Sequence, residues 1–139
     1  MQLKTIVVGY DDGEPSRRAL DRAADIAEAF GASLVITSVT PTMPGAGRSA
    51  GPTDPVDSFE KHKDELKAAR DHLADRKVDV RFQAAVGEPA DTIVDLAESE
   101  DADLIVVGTR EVGVVQRLLG QSVSDAVARH AHRDVLIVH

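Results

Sequence analysis

The chain contains no cysteine and very few aromatic residues. The absence of cysteine excludes disulfide bonds, thiolate metal sites and thiol catalysis. Four aromatic residues are too few for the stacking platforms that bind single-stranded nucleic acid. No apolar run approaches the ~18 residues of a membrane span. The N-terminal sequence MQLKTIVVGYDD turns acidic without a signal-peptide cleavage pattern, so we expect a cytoplasmic protein.

Positive charge is also scarce. The chain has 16 Lys and Arg against 24 Asp and Glu, a net charge of −8. This balance argues against nucleic-acid binding, because such proteins need a basic face to neutralise phosphates. Only five of the basic residues are Lys, and 16 of the acidic residues are Asp. That bias is typical of proteins from high-salt surroundings, and an ordinary, mildly acidic protein is the alternative that composition leaves open.

The 139 residues include 42% hydrophobic residues, enough for the core of one domain spanning the whole chain. Four short, β-branched apolar runs predict strands that are buried on both faces. They are residues 5–8 (TIVV), 34–36 (LVI), 104–107 (LIVV) and 135–138 (VLIV). Residues 78–84 (VDVRFQA) alternate apolar and polar side chains and predict an edge strand.

Helical patterns lie between these strands. Pro15 and Gly31 bracket the first helix, Pro89 begins another, and Ser122 begins the last with capping-box spacing to Asp125. The highly charged residues 57–75 predict a further helix with a narrow apolar stripe. The side chains predicted to face inward are Leu20, Ala23, Ala24, Ala27, Phe30, Phe59, Leu66, Leu73, Ile93, Leu96, Ala97, Val123, Ala126 and Val127.

The predicted order is β-α-β-loop-α-β-α-β-loop-α-β, with a mobile surface loop over residues 40–56. Strands that alternate with helices form a parallel sheet with helices on both faces. We therefore expect an α/β fold with an open, doubly wound parallel sheet of five strands. Ligands bind such sheets beyond the carboxyl ends of the strands.

Three segments reach that edge: residues 9–13, 38–40 and 108–124. The third is rich in glycine and ends at the predicted start of a helix, whose N–H groups suit phosphate. Neither standard phosphate-binding motif is present. Turn and helix-cap roles are the alternative for these residues, including a helix-capping role for Asp11 and Asp12.

The chain resembles the universal stress protein family from residue 3 to the end. Three segments carry the resemblance: VVGYDDGEPSRRALDRAADIA, VGEPADTIVDLAESEDADLIVVGTR and SVSDAVARHAHRDVLIVH. The resemblance implies strand order 3-2-1-4-5 and a homodimer that pairs through the last strand, which runs from Val135 to Val138. It also implies a stress-response regulatory module that binds ATP with Mg or Mn and has no strong catalysis.

The resemblance places the base and ribose of the nucleotide near Tyr10, Asp11 and Val39. It places the phosphates within the glycine signature G-x2-G-x9-G-[ST] and the following helix. The residues implied there are Gly108, Arg110, Gly113, Gln121, Ser122, Val123 and Ser124.

The chain departs from that signature at two positions. Glu111 and Gln121 stand where the second and third glycines belong, although Gly120 can serve as the third after a one-residue shift. A carboxylate close to a triphosphate makes nucleotide binding less favourable by about 1–4 kcal/mol. The alternative function is therefore a family member that acts as a dimeric protein-interaction module without nucleotide.

Other functional classes lack support in the sequence. His130 and His132 lie two apart in the last turn of the final helix, where they diverge, and His62 and His72 lie on the charged helix, so we expect no metal site. No serine sits in a G-x-S-x-G elbow, which leaves a hydrolase unsupported. A phosphoacceptor receiver domain needs an Asp after the third strand, where Ala-Ala-Val-Gly stands instead.

Overall fold

The computed structural model describes residues 2–11, 13–41, 59–109 and 123–139. In this part of the chain, strands and helices alternate in the predicted order. The strands are β1 Thr5–Gly9, β2 Ser33–Pro41, β3 Val80–Gly87, β4 Leu104–Gly108 and β5 Asp134–Val138. The helices are α1 Glu14–Phe30, α2 Phe59–His72, α3 Pro89–Ser99 and α4 Val123–His130.

The five strands form one parallel sheet in the order β3-β2-β1-β4-β5. The fold class and the strand order are therefore confirmed. Strand β1 lies at the centre, between β2 and β4, so the order of the sheet reverses beside it. A parallel sheet of this kind places its ligand site at that reversal, beyond the ends of the strands.

The central strands are buried on both faces, as their continuous apolar sequences predict. Ile6, Val7 and Val8 of β1 are all fully buried. Helices α1 and α2 cover one face of the sheet, and α3 and α4 cover the other. The predicted inward residues Leu20, Ala23, Ala24, Ala27, Leu66, Leu73, Ile93, Leu96, Ala97, Ala126 and Val127 are buried, whereas Val123 is half-buried. The side chain of Phe59 lies outside the described part of the structure.

The prediction for Phe30 is wrong, because its side chain is 56% exposed. Phe30 is the last residue of α1, and Gly31 ends the helix in the left-handed conformation at φ 70°. At ~100° per residue, Phe30 lies about 80° around the helix axis from Leu20. It therefore stands at the rim of the buried face, at the end of the helix.

Strand β2 is longer than its apolar run predicts. Ser38, Val39 and Thr40 belong to the strand and pair with Ala84, Ala85 and Val86 of β3. These residues therefore belong to the strand instead of following it, and the predicted loop does not begin at residue 40, because the neighbouring strand β3 extends to Gly87 and supplies backbone partners. Residues 42–56 of the predicted mobile loop lie outside the described residues.

The histidine pair near the C-terminus is also placed differently from the prediction. His130 is the last residue of α4, whereas His132 lies beyond the helix and before β5. The Ala131 N–H still donates to the Val127 carbonyl with helical spacing, and the chain leaves the helical path at that residue, so the helix is shorter than expected. No described helix is long and apolar enough to cross a membrane.

Candidate functional site

A cavity lies beyond the carboxyl ends of β1, β2 and β4, where the strand order reverses. Its walls come from both helix layers as well as from the strand ends. The lining residues are Gly9, Tyr10, Asp11, Ser16, Thr37, Val39, His62, Pro89, Ile93, Val107, Gly108 and Val123. The cavity has a volume of about 50 Å³, which is room for a few water molecules.

Five of the residues that the sequence pointed to meet in this cavity: Tyr10, Asp11, Val39, Gly108 and Val123. Ser124 is buried, one residue beyond the cavity wall that Val123 forms. The remaining predicted residues, Arg110, Gly113, Gln121 and Ser122, lie outside the described residues, as do Glu111 and Gly120.

The loop after β1 is fixed by local hydrogen bonds. The Tyr10 N–H donates to the Thr37 carbonyl at 2.9 Å, which ties the loop to β2. The Asp11 carboxylate accepts the Gly13 N–H at 3.0 Å, a turn that commonly precedes a helix. The Ser16 hydroxyl accepts the Asp11 N–H at 3.2 Å. Gly13 is the N-cap of α1 and no side chain caps it, so the alternative in which Asp11 caps the helix directly is wrong. Asp12, the other residue of that alternative, lies outside the described residues.

Gly108, at the end of β4, has a packing reason to be glycine. A Cβ atom at this position would lie 2.5 Å from the Pro15 carbonyl carbon and 2.8 Å from the Ser16 nitrogen. These atoms belong to the backbone of α1 and cannot rotate away. The close approach of α1 to β4 therefore requires glycine here, whether or not a ligand binds.

The two ends of the cavity differ in their chemistry. At the β4 end, Val123 begins α4, and the first N–H groups of a helix carry partial positive charge. At the β2 end lie Thr37, Val39 and the His62 ring. The apolar side chains of Ile93 and Val107 also line the cavity. Such a cavity suits a ligand with an anionic end and a flat, largely apolar end.

His62 is a cavity residue that the sequence analysis missed. The sequence predicts only that it lies on a charged helix, yet the residue is only 6% exposed and its ring contacts Ser38 and Glu65. The available signal was its spacing: His62 lies four residues before Leu66, and Leu73 continues the same buried stripe. Because His62 is polar and its neighbours in the sequence are charged, this spacing does not stand out as a buried stripe.

Within the described residues, no three or more His, Asp and Glu side chains are grouped in a way that would hold a metal ion. Asp11 places a carboxylate at the wall of the cavity.

Comparisons with known proteins give a consistent result over the whole chain. Residues 2–139 match a model described as the universal stress protein family. A universal stress protein of Mycobacterium tuberculosis is 39% identical over 144 aligned residues, which cover 98% of this chain and 96% of that protein.

Two solved structures of nucleotide complexes have the same fold. A universal stress protein in complex with cAMP is 34% identical, with a TM-score of 0.75 and coverage of 100% of this chain and 99% of that chain. A universal stress protein of Archaeoglobus fulgidus in complex with dAMP is 27% identical, with a TM-score of 0.74 and full coverage of both chains.

Proposed function

Because this chain belongs to the universal stress protein family, we propose that it binds an adenine nucleotide in the cavity beyond β1, β2 and β4. The arrangement of that cavity carries the proposal: an apolar wall leads to the N-terminus of α4. The relatives with cAMP and dAMP support the choice of an adenine nucleotide. The wider role is that of a stress-response regulatory module in the cytoplasm.

The geometry of the cavity supports one orientation of the proposed nucleotide. Its phosphates lie toward Gly108 and Val123, where helix N–H groups and the helix dipole favour negative charge. Its base lies toward Val39, between apolar side chains. The volume of about 50 Å³ encloses only part of a nucleotide, so the remainder extends past the strand ends.

In this proposal the protein binds the nucleotide and does not strongly catalyse a reaction on it. The Asp11 carboxylate lies at the wall of the cavity. A divalent cation such as Mg or Mn would enter the cavity together with ATP, bound to its phosphates. The Asp11 carboxylate already accepts the Gly13 N–H, so it also has a structural role in the loop. Nucleotide occupancy would then change the surface that the protein presents to its partners.

The charge at the α4 end of the cavity provides a direct test. Val123→Glu places a carboxylate at the first residue of α4, where it favours the helix but repels phosphate. Val123→Gln is the matched neutral variant of nearly the same size. We expect Val123→Glu to weaken AMP and ATP binding about tenfold, ~1.4 kcal/mol, relative to Val123→Gln in isothermal titration calorimetry. Equal affinities of the two variants would place the phosphates elsewhere.

A second candidate function is a dimeric protein-interaction module without nucleotide. Two positions of the sequence favour it, because Glu111 and Gln121 replace glycines of the family signature. In that case neither the wild type nor the Val123→Gln variant would bind any adenine nucleotide.

The dimer itself is part of both proposals. Strand β5 forms one edge of the sheet and pairs with β4 on one side. Its residues Val135, Leu136 and Ile137 are only half-buried. An apolar sheet edge tends to pair with another strand, so we propose that β5 pairs with its copy in a second chain.

A further inference from the structure

His62, Ser38 and Glu65 form a buried polar cluster beside the cavity. Their exposed fractions are 6%, 0% and 4%. The Ser38 Oγ atom lies 2.6 Å from His62 Nδ1 and 2.8 Å from Glu65 Oε2. His62 Nδ1 also lies 3.1 Å from Glu65 Oε2. Lys61, half-exposed on the same helix, lies 3.6 Å from the other carboxylate oxygen.

These contacts indicate that the Nδ1 atom of the His62 ring carries a hydrogen. A carboxylate only accepts hydrogen bonds, so the Ser38 hydroxyl donates its hydrogen to Glu65. The Ser38 oxygen can then only accept from His62, which requires hydrogen on Nδ1. In the neutral ring, Nε2 therefore carries a lone pair and acts as an acceptor.

This Nε2 atom is buried and receives no hydrogen bond from the part of the chain that the structure describes. His62 is also one of the residues that line the cavity. A buried nitrogen without a donor is unfavourable, and most such atoms in folded proteins have a partner. A ligand with an N–H group at this end of the cavity would supply one.

The position of His62 indicates which part of the ligand it meets. Helix α2 packs against β2 and β3, and His62 contacts Ser38 of β2, so His62 lines the cavity at the β2 end. Val123 and the N-terminus of α4 lie beyond β4, on the other side of β1. With the phosphates at α4, the base is the part of the nucleotide that approaches His62.

We propose that His62 is a specificity-determining residue that selects purines with a 6-amino group. This inference rests on the proposed binding of an adenine nucleotide. The amino group of adenine donates a hydrogen bond to Nε2, whereas the 6-oxo group of hypoxanthine or guanine presents an acceptor to an acceptor. The mismatched pair rejects the 6-oxo base.

The wild-type protein gives the first test, because AMP and IMP share the sugar and phosphate and differ in the base, most directly at position 6. We expect AMP to bind at least tenfold more tightly than IMP in calorimetric titrations. Equal affinities, or tighter binding of IMP, would overturn the role of His62 while leaving nucleotide binding intact. No binding of either nucleotide would overturn the proposed function, and this inference with it.

Two variants separate recognition of the base from support of the buried cluster. His62→Asn keeps a donor near the Nδ1 position for Ser38 and Glu65 but has no group at the Nε2 position. His62→Gln places an amide near the Nε2 position, where it can rotate to offer oxygen to AMP or nitrogen to IMP.

We expect the ratio of AMP to IMP affinity to fall to about one in both variants. In His62→Asn this results from weaker AMP binding, and in His62→Gln from stronger IMP binding. His72→Asn, on an exposed histidine of the same helix, is the matched control and should keep the wild-type ratio. A purely structural role for His62 would instead weaken both nucleotides by the same factor, and that result would overturn the proposal.

Discussion

At the scale of single residues, the cavity shows how a glycine can serve packing where sequence reasoning sees a ligand. Gly9 and Gly108 end neighbouring strands, β1 and β4, and both line the cavity. Their surroundings differ. A Cβ atom on Gly9 would lie 2.8 Å from the terminal Cδ1 atom of Ile93, whereas one on Gly108 would meet the backbone of α1. A side chain end can rotate, but a helix backbone must move as a unit.

We therefore expect Gly108→Ala to lower the free energy of unfolding by about 1–3 kcal/mol, the range typical of overpacking in a core. Gly9→Ala is the matched control, and its loss should be smaller because Ile93 can adopt another rotamer. Urea denaturation of the two variants and the wild type measures the difference. A Gly108→Ala variant as stable as Gly9→Ala would contradict the packing reason for this glycine.

The sequence predicted cavity residues that follow strong local patterns and missed others, His62 among them, that do not. Gly108 and Tyr10 follow continuous β-branched runs, so their position at the sheet edge was accessible. His62 was not, because its burial depends on Ser38, a residue 24 positions away on another element. Phe30 was misplaced because helical periodicity does not show where the sheet beneath a helix ends.

At the scale of elements, the strands were predictable where hydrophobicity alone determines burial. Strands β1 and β4 match their apolar runs to within a residue. Strand β2 continues through Thr37, Ser38 and Thr40, polar residues that are buried because β3 pairs with them and a helix covers them. Contacts of this kind, between segments far apart in the chain, cannot be recognised from the local sequence pattern.

One carboxylate connects the starts of the neighbouring strands β1 and β4 through hydrogen bonds. Asp103, just before β4, accepts the N–H groups of Lys4 at 2.8 Å and Thr5 at 3.1 Å. These backbone hydrogen bonds favour the charged carboxylate and hold the pKa of Asp103 below its ordinary value of 3.8. The interaction connects the chain before β1 to the beginning of β4.

A lowered pKa makes this contribution to stability dependent on pH. The stabilisation is fully present above pH 3.8 and is lost as the pH falls through the lower pKa of the folded state. We expect Asp103→Asn to lower the free energy of unfolding by about 1 kcal/mol at neutral pH. The difference from wild type should shrink well below pH 3.8. Asp134→Asn, at the exposed first residue of β5, is the control; a constant difference for Asp103→Asn at every pH would contradict the account.

At the scale of the whole molecule, the two edges of the sheet are β3 and β5. The Thr109 N–H donates to the Val138 carbonyl at 2.8 Å, so the backbone of Val138 faces β4. Alternate residues of a parallel strand face opposite sides, and the N–H of Ile137 therefore points away from β4. A partner strand would bond to this group.

Proline at position 137 tests the proposed dimer, because it removes an outward donor and spares the ladder with β4. We expect Ile137→Pro to be a monomer by sedimentation equilibrium at micromolar concentration. Ile137→Ala, which removes more apolar side chain than Ile137→Pro but keeps its N–H, should remain a dimer. A monomeric wild type, or a dimeric Ile137→Pro variant, would exclude pairing through β5.

The central claim is that the cavity beyond β1, β2 and β4 holds an adenine nucleotide, and a calorimetric titration of the wild-type protein tests it most directly. The titration uses AMP and Mg-ATP, in low salt and again in molar salt. We expect saturable binding of one nucleotide per chain, weaker in molar salt because phosphate contacts are screened. No heat of binding up to millimolar nucleotide would contradict the claim and leave the dimer surface as the functional part of the molecule.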